Sequence, residues 1–519
     1  MNPSPLSERA SGVLLHPTSL PGPHGHGDLG PAAHRFAGFL ASAGQSWWQM
    51  LPLGPPGAGN SPYDSPSTFA GSPGLVSLEQ LAADGLLEPG EIAPTRGLQG
   101  KRARYGAAAR YRLPRLEQAH DRFRVSAPKR DKRAFEAFRE EQRSWLDDYA
   151  LYQALKSAEG GAPWYEWQAD LVARRPAALR RARRRLADGI AFQEFVQYQF
   201  DRQWRALQRR CRELGIRLLG DVPIYVAHDG ADVWAHRELF HVDRAGRRRV
   251  VAGVPPDAFS ATGQLWGNPL YRWSALDKSG YAWWIARLAL TLSRFDAVRL
   301  DHFIGFRRYW EVKAGARTAQ RGRFVQVPGE RFLTAVESAL HGLPFVAEDL
   351  GIMTDEVRTL RDRYGLPGMR VLQFAFDDAG PNDYQPHRYP RHAVAYTGTH
   401  DNDTAVGWFN ERAPRGDRKR ARELSERRRR VRDYLGSDGR EIHWDMIRAA
   451  LMSVAGTAVF PMQDLLGLGS AARMNTPGTS RDNWSWRVEQ AALAPDVAER
   501  MAALCEIYER TPERGRSGR

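Results

Sequence analysis

Four segments of the chain place carboxylates at the end of a short apolar run: GDVPIYVA with Asp221, VRLDHFIG with Asp301, PFVAEDLG with Glu348 and Asp349, and YTGTHDNDT with Asp401 and Asp403. A single acid in such a place is commonly the N-cap of the next helix. Asp403 before Thr404 fits that role, and Asp221 alone would read as an acid holding a loop. Capping does not account for acids at four run ends together, with Arg299 two residues ahead of Asp301. A cation beside a carboxylate favours the ionised form that a nucleophile needs, whereas an acid in a crowded, desolvated site is pushed to keep its proton. Glycosidic chemistry uses that division: one carboxylate attacks the sugar carbon while a protonated one gives its proton to the departing oxygen. Clustered acids also serve metals. The sequence has neither a phosphate-cradling glycine loop nor an H-E-x-x-H pair, so sugar chemistry outweighs metal binding and no metal or cofactor is called for.

Aromatic residues point the same way. The chain has 16 Trp, 17 Tyr and 21 Phe, and Trp47, Trp48, Trp266, Trp273, Trp283 and Trp284 fall near the apolar runs or their loops. Sugar C–H faces pack on such rings while polar groups bond the hydroxyls. Trp283 and Trp284 lie on an apolar helical stretch and read as core. Trp266 sits in the polar, Gly-rich PPDAFSATGQLWGNPLYRW, which reads as a lid or clamp, and Tyr63 in the turn-rich GNSPYDSPSTFAG. His16, His302 and His400 each end a run. A lone histidine there is more often structural, but His302 and His400 adjoin the acids and suit hydroxyl recognition or tuning of their protons.

The elements that must position these groups follow from the runs themselves. Eight short β-rich stretches recur, at Val13–His16, Trp47–Pro52, Arg217–Tyr225, Ala297–His302, Pro344–Asp349, Met369–Phe376, Ala393–His400 and Ala458–Asp464. From the third onward, helical patterns such as Tyr281–Ser293, Glu330–His341 and Asp355–Tyr364 lie between them. Strand–helix alternation predicts a parallel sheet, and eight repeats predict a closed (β/α)8 barrel whose C-terminal mouth gathers the acids. An open doubly wound sheet is the rival, and no G-x-G-x-x-G follows a strand to support it. Two gaps exceed ordinary loops. The spacing predicts one catalytic barrel unit over 1–519, with a helical insertion at 72–215 between strands 2 and 3. A second insertion, 228–280, between strands 3 and 4 carries the lid. The inserted subdomains are expected to be largely helical and to sit on the C-terminal-face loops.

The chain has 75 Lys and Arg against 60 Asp and Glu, a formal charge of +15. Such a balance raises the question of nucleic acid or anionic membranes. Yet the basic clusters Arg180–Arg185 and Arg427–Arg430 read as solvated helix faces, and no nucleic-acid motif accompanies them. Two cysteines exclude a disulfide framework, no apolar run reaches membrane length, and no signal peptide is visible at the start. The expectation is a cytoplasmic protein without nucleic-acid or membrane partners, monomer or homodimer.

At these residues the sequence resembles the amylomaltases, the 4-α-glucanotransferases of the disproportionating type, which form glycoside hydrolase family 77 in the α-amylase-like clan. The resemblance begins at SGVLLHPTSLPGPHGHGDLG and runs through WWQMLPLGPPGAGNSPYDSPSTFAG, GDVPIYVAHDGADVW, GVPPDAFSATGQLWGNPLYRW, VRLDHFIGFRRYWEV, VAEDLG, GMRVLQFAF, YTGTHDNDT and MNTPGTSRDNWSWR. It implies a barrel without the C-terminal β-domain of ordinary amylases. It implies retaining transfer of α-1,4-glucan segments, with Asp301 as nucleophile, Glu348 as general acid/base and Asp401 as third acid. Arg299 and His400 match positions that contact the reacting glucose, and Asp221 a supporting acid. Asp257, Gln264 and Trp266 match the closing loop, and Ser61, Tyr63, Asn268 and Asp378 further glucan contacts. The family usually has Gly before the C-terminal Asn-Trp, where Asp482 stands here. An α-glucan hydrolase on the same barrel and a non-catalytic glucan binder are the alternatives; the latter leaves the acids without a purpose.

Overall fold

A computed structural model describes residues 5–256, 260–351, 353–377 and 380–512. Eight parallel strands close into a barrel in sequence order: Ala10–Leu14, Trp47–Gln49, Arg217–Val222, Ala297–Leu300, Phe345–Ala347, Gly368–Val371, Ala393–Tyr396 and Thr457–Pro461. Helices cover the outside, so both faces of each strand are dry, and strands such as ASGVL and TAVFP are buried at every position. Trp47, Trp48 and Trp284 are fully buried and Trp273 and Trp283 nearly so. Of the six tryptophans singled out above, Trp266 alone stands exposed.

Between the second and third strands, long helices at Tyr105–Ser126, Lys129–Glu141, Arg143–Ala158 and Ala187–Glu213 build the larger insertion. Buried Arg112 fastens it to the barrel, donating to Asp28 at 2.9 Å and to the carbonyls of His24, Val76 and His26. The stretch between the third and fourth strands has a β component that the expectation of largely helical insertions did not include. Val250–Val254 and Gln264–Pro269 pair antiparallel and join Arg308–Lys313 and Gly322–Gln326, from beyond the fourth strand, in a four-stranded sheet. Sequences such as VVAGV and RYWEVK are rich in β-branched and aromatic residues, and Gly263, at φ 66°, makes the turn into Gln264–Pro269.

The two Arg clusters differ. Arg180, Arg181, Arg184 and Arg185 face solvent. Arg427 is a correction to the solvated reading: it is buried against the Trp408 ring and donates to the Trp408 carbonyl and Glu411. A helix spaced at 3.6 residues per turn cannot turn four consecutive arginines all outward.

The barrel floor is held by another arginine. Arg510, fully buried, spends all five N–H donors on carbonyls: Ala10 (2.9 Å), Leu451 (2.7 Å), Ser453 (3.0 Å), Ala455 (2.9 Å) and Gly456 (2.6 Å). It thereby ties the entry of the first strand to the entry of the eighth and to the end of the helix Ile442–Met452.

Candidate active site

Strand register assembles the site. Asp221 on the third strand lies beside Arg299 on the fourth. Just past the strand ends, the Asp301 amide donates to the Val222 carbonyl and the Glu348 amide to that of Leu300, so both acids project at the C-terminal mouth. Arg299, 5% exposed, is the hub. Its Nη1 lies 2.9 Å from both Asp221 oxygens and 2.8 Å from Asp301 Oδ1. Asp221 also accepts from the Tyr63 hydroxyl at 2.8 Å, and the Tyr63 ring stacks on His400 with centroids 5.0 Å apart. His400 Nε2 lies 3.5 Å from Asp401 Oδ1. Tyr63, Asp221, Arg299, Asp301, His400 and Asp401 are thus one connected constellation.

Glu348 is set differently. Its Oε2 accepts the His302 amide at 2.7 Å and its Oε1 the Leu350 amide at 3.0 Å. Burial pushes the Glu348 carboxyl up to about 7; Arg299 opposes that rise and Asp301 adds to it. Burial also pushes the Asp221 carboxyl up, against Arg299 and the Tyr63 hydrogen bond. His302 takes φ 50°, a left-handed conformation that side chains rarely adopt, and this turn aims its amide at Glu348. Its half-buried imidazole is pulled down to about 4 by desolvation, hence neutral at pH 7, and meets the Trp266 ring edge-to-face at 4.8 Å.

The remaining expected positions fall around this centre. Trp266, 39% exposed, rises from the Gln264–Pro269 strand and donates to Gln264 Oε1 at 3.2 Å. Ser61 Oγ accepts the Tyr63 amide at 3.2 Å, bracing the loop that delivers Tyr63. Asn268 turns to the Val226 carbonyl at 3.0 Å rather than to any of the acids. Asp257 and Asp378 lie outside the described residues.

The sequence reading gave no role to Asn475, Arg473 or Trp484. Asn475 Nδ2 donates to Asp401 Oδ1 and Arg473 Nη2 to the Asp401 carbonyl, each at 2.6 Å. The Trp484 ring lies 5.8 Å from both Tyr63 and His400. The signal for Asn475 and Trp484 was present in MNTPGTSRDNWSWR, a polar, turn-rich stretch holding two tryptophans, the same signature that marked Tyr63 and Trp266; Arg473 lies one residue before it. Asp482 in that stretch takes φ 63°, where glycine sits freely and Asp is among the better-tolerated alternatives. Among the described residues no group of three or more His, Cys, Asp or Glu is arranged to hold a metal ion.

The 4-alpha-glucanotransferase family model (Glyco_hydro_77) matches residues 15–492. The chain belongs to this family. The Thermus thermophilus 4-alpha-glucanotransferase is 48% identical over 97% of this chain and 99% of its own length, and the Synechocystis enzyme 46% over 97% and 99%. Streptococcus agalactiae amylomaltase, solved in complex with acarbose, superposes with a TM-score of 0.92 at 34% identity, covering 97% of this chain and all of that one. The barrel is therefore that of a 4-alpha-glucanotransferase, and its mouth carries the constellation just described. Among the described residues of this glucanotransferase, no helix is long and apolar enough to cross a membrane.

Proposed function

We propose that this 4-alpha-glucanotransferase works by retaining double displacement at Asp301 and Glu348 on α-1,4-glucans. The observation that carries the reading is the unequal setting of the two acids: Asp301 rests on the Arg299 guanidinium, while Glu348, half-buried and desolvated, holds its proton to about pH 7. Asp301 attacks the anomeric carbon, and Glu348 protonates the oxygen of the departing chain. The 4-hydroxyl of an incoming glucan then displaces Asp301 as Glu348 takes that hydroxyl's proton, so two inversions retain the α configuration. Asp401 and His400 bind hydroxyls of the reacting glucose, with Tyr63, Asp221 and Arg299 fixing the acids from below. Trp266, against Gln264 and His302, walls the glucan; Ser61, Asn268, Asp257 and Asp378 supply further glucan contacts. Exclusion of water by this wall favours a sugar as acceptor. The cytoplasm suits both buried, unpaired cysteines.

The experiment is incubation of the purified protein with maltotriose. A ladder of longer maltodextrins with free glucose is expected, and glucose and maltose without longer products would overturn transfer. Asp301→Asn should lower kcat by about 10^4-fold or more with maltotriose binding retained, and full turnover in that variant would remove Asp301 as nucleophile.

A further inference from the structure

Asp401 stands on a loop just beyond the seventh strand with its side chain 46% exposed, a setting in which an aspartate samples several rotamers. The segment after the eighth strand returns to it. Asn475 donates its side-chain amide to Asp401 Oδ1 at 2.6 Å and its main-chain amide to the His400 carbonyl at 3.1 Å. Among the described residues, this is the one side-chain hydrogen bond that the Asp401 carboxylate accepts. Arg473 adds two more ties, to the Asp401 carbonyl at 2.6 Å and the Asn475 carbonyl at 2.7 Å. The loop is braced internally: Asn483 accepts from the Thr476 amide and donates to the Thr479 carbonyl. It is also anchored from outside the barrel, where the Tyr105 hydroxyl donates to the Trp484 carbonyl at 2.8 Å.

The chemistry of the donor matters. Arg473 is near enough to reach the loop, yet it spends its guanidinium on carbonyls and leaves the Asp401 carboxylate to the neutral Asn475 amide and to the His400 ring, whose Nε2 lies 3.5 Å from Oδ1 and whose buried imidazole is held below its ordinary pKa. A neutral donor fixes the orientation of the acid without cancelling its charge, so the second oxygen stays available to accept from sugar hydroxyls. We infer that Asn475 is a positioning residue for this reaction, holding the Asp401 carboxylate and the His400 main chain in the geometry that grips the reacting glucose. The inference rests on the proposed role of Asp401.

The test uses Asn475→Ala, Asn475→Asp and, as reference, Asp401→Asn, assayed for maltotriose disproportionation across pH with melting midpoints recorded. Asn475→Ala should lower kcat about tenfold or more, change KM by less than about threefold, and keep a near-wild-type midpoint. Asn475→Asp places a second carboxyl within hydrogen-bond reach of the first, and such a pair shares one proton. Its O–H then replaces the amide donor at acid pH only, so activity should approach wild type at low pH and fall away at a lower pH than in the wild type. Wild-type kcat and pH profiles in both Asn475 variants, with Asp401→Asn inactive, would overturn the positioning role alone. Full activity of Asp401→Asn would instead remove the reading of Asp401 on which the inference stands.

Discussion

Glu348 and Asp301 carry the same functional group at the ends of adjacent strands, and the proposed mechanism gives them different work because their surroundings differ. The half-buried carboxyl of Glu348 keeps its proton up to about pH 7, and the first half of the proposed reaction needs that proton. Glu348 is protonated below this pKa and loses the proton above it, so kcat/KM for maltotriose should fall as pH rises through about 7. A donor such as α-glucosyl fluoride, whose leaving group needs no proton, should show no such alkaline limb. A limb that persists unchanged with the fluoride would assign it to another group. At this scale much was legible in the sequence: each principal acid follows a short apolar run, and local order alone marks it. Asn475 was not legible in the same way. It acts on Asp401 from 74 positions away, through a loop whose path back across the mouth no local pattern records.

The element that distinguishes this mouth is the four-stranded sheet beside it. Its strand Gln264–Pro269 presents Trp266 toward His302, and its other members are drawn from both sides of the fourth barrel strand. The sequence marked the segment as a lid from its polar, Gly-rich composition. The pairing stayed hidden because strands of five and six residues from distant segments announce themselves only through their partners. If the sheet serves as a wall against water, Trp266→Ala should weaken maltodextrin binding by about 1–2 kcal/mol. It should also shift products from the ladder toward plain hydrolysis, measured as the ratio of reducing ends released to glucosyl units transferred. An unchanged ratio would locate water exclusion elsewhere.

For the whole molecule, closure of the ring is the central fact, and it was legible from eight β-rich runs in order. How the ring is fastened was not: Arg510 lies in the polar, arginine-rich ERTPERGRSGR, where no apolar pattern marks a buried group. Arg510→Met should remove all five of these bonds, leaving Leu451 and Ser453 only their bonds from Arg9 and Gly456 only its bond from the Ala10 amide, and lower stability by about 3 kcal/mol or more. The floor lies opposite the acids, so kcat at 25 °C should be near wild type. Denaturant unfolding monitored by tryptophan fluorescence, beside the maltotriose assay, separates the two effects. Loss of kcat in step with stability would mean that the floor and the mouth are coupled.

The same guanidinium sets an order of events during synthesis on the ribosome. The first strand can pair with the second soon after both emerge, yet the eighth strand, its partner on the other edge, lies more than 440 residues downstream and the clasp about 50 beyond that. Until both have left the exit tunnel, the edge of the first strand that faces the eighth is an unpaired ladder of amides and carbonyls, open to nascent neighbours on the same messenger. That edge therefore stays exposed to aggregation until Arg510 has been made and has emerged, and slow decoding before Arg510 would lengthen the exposure.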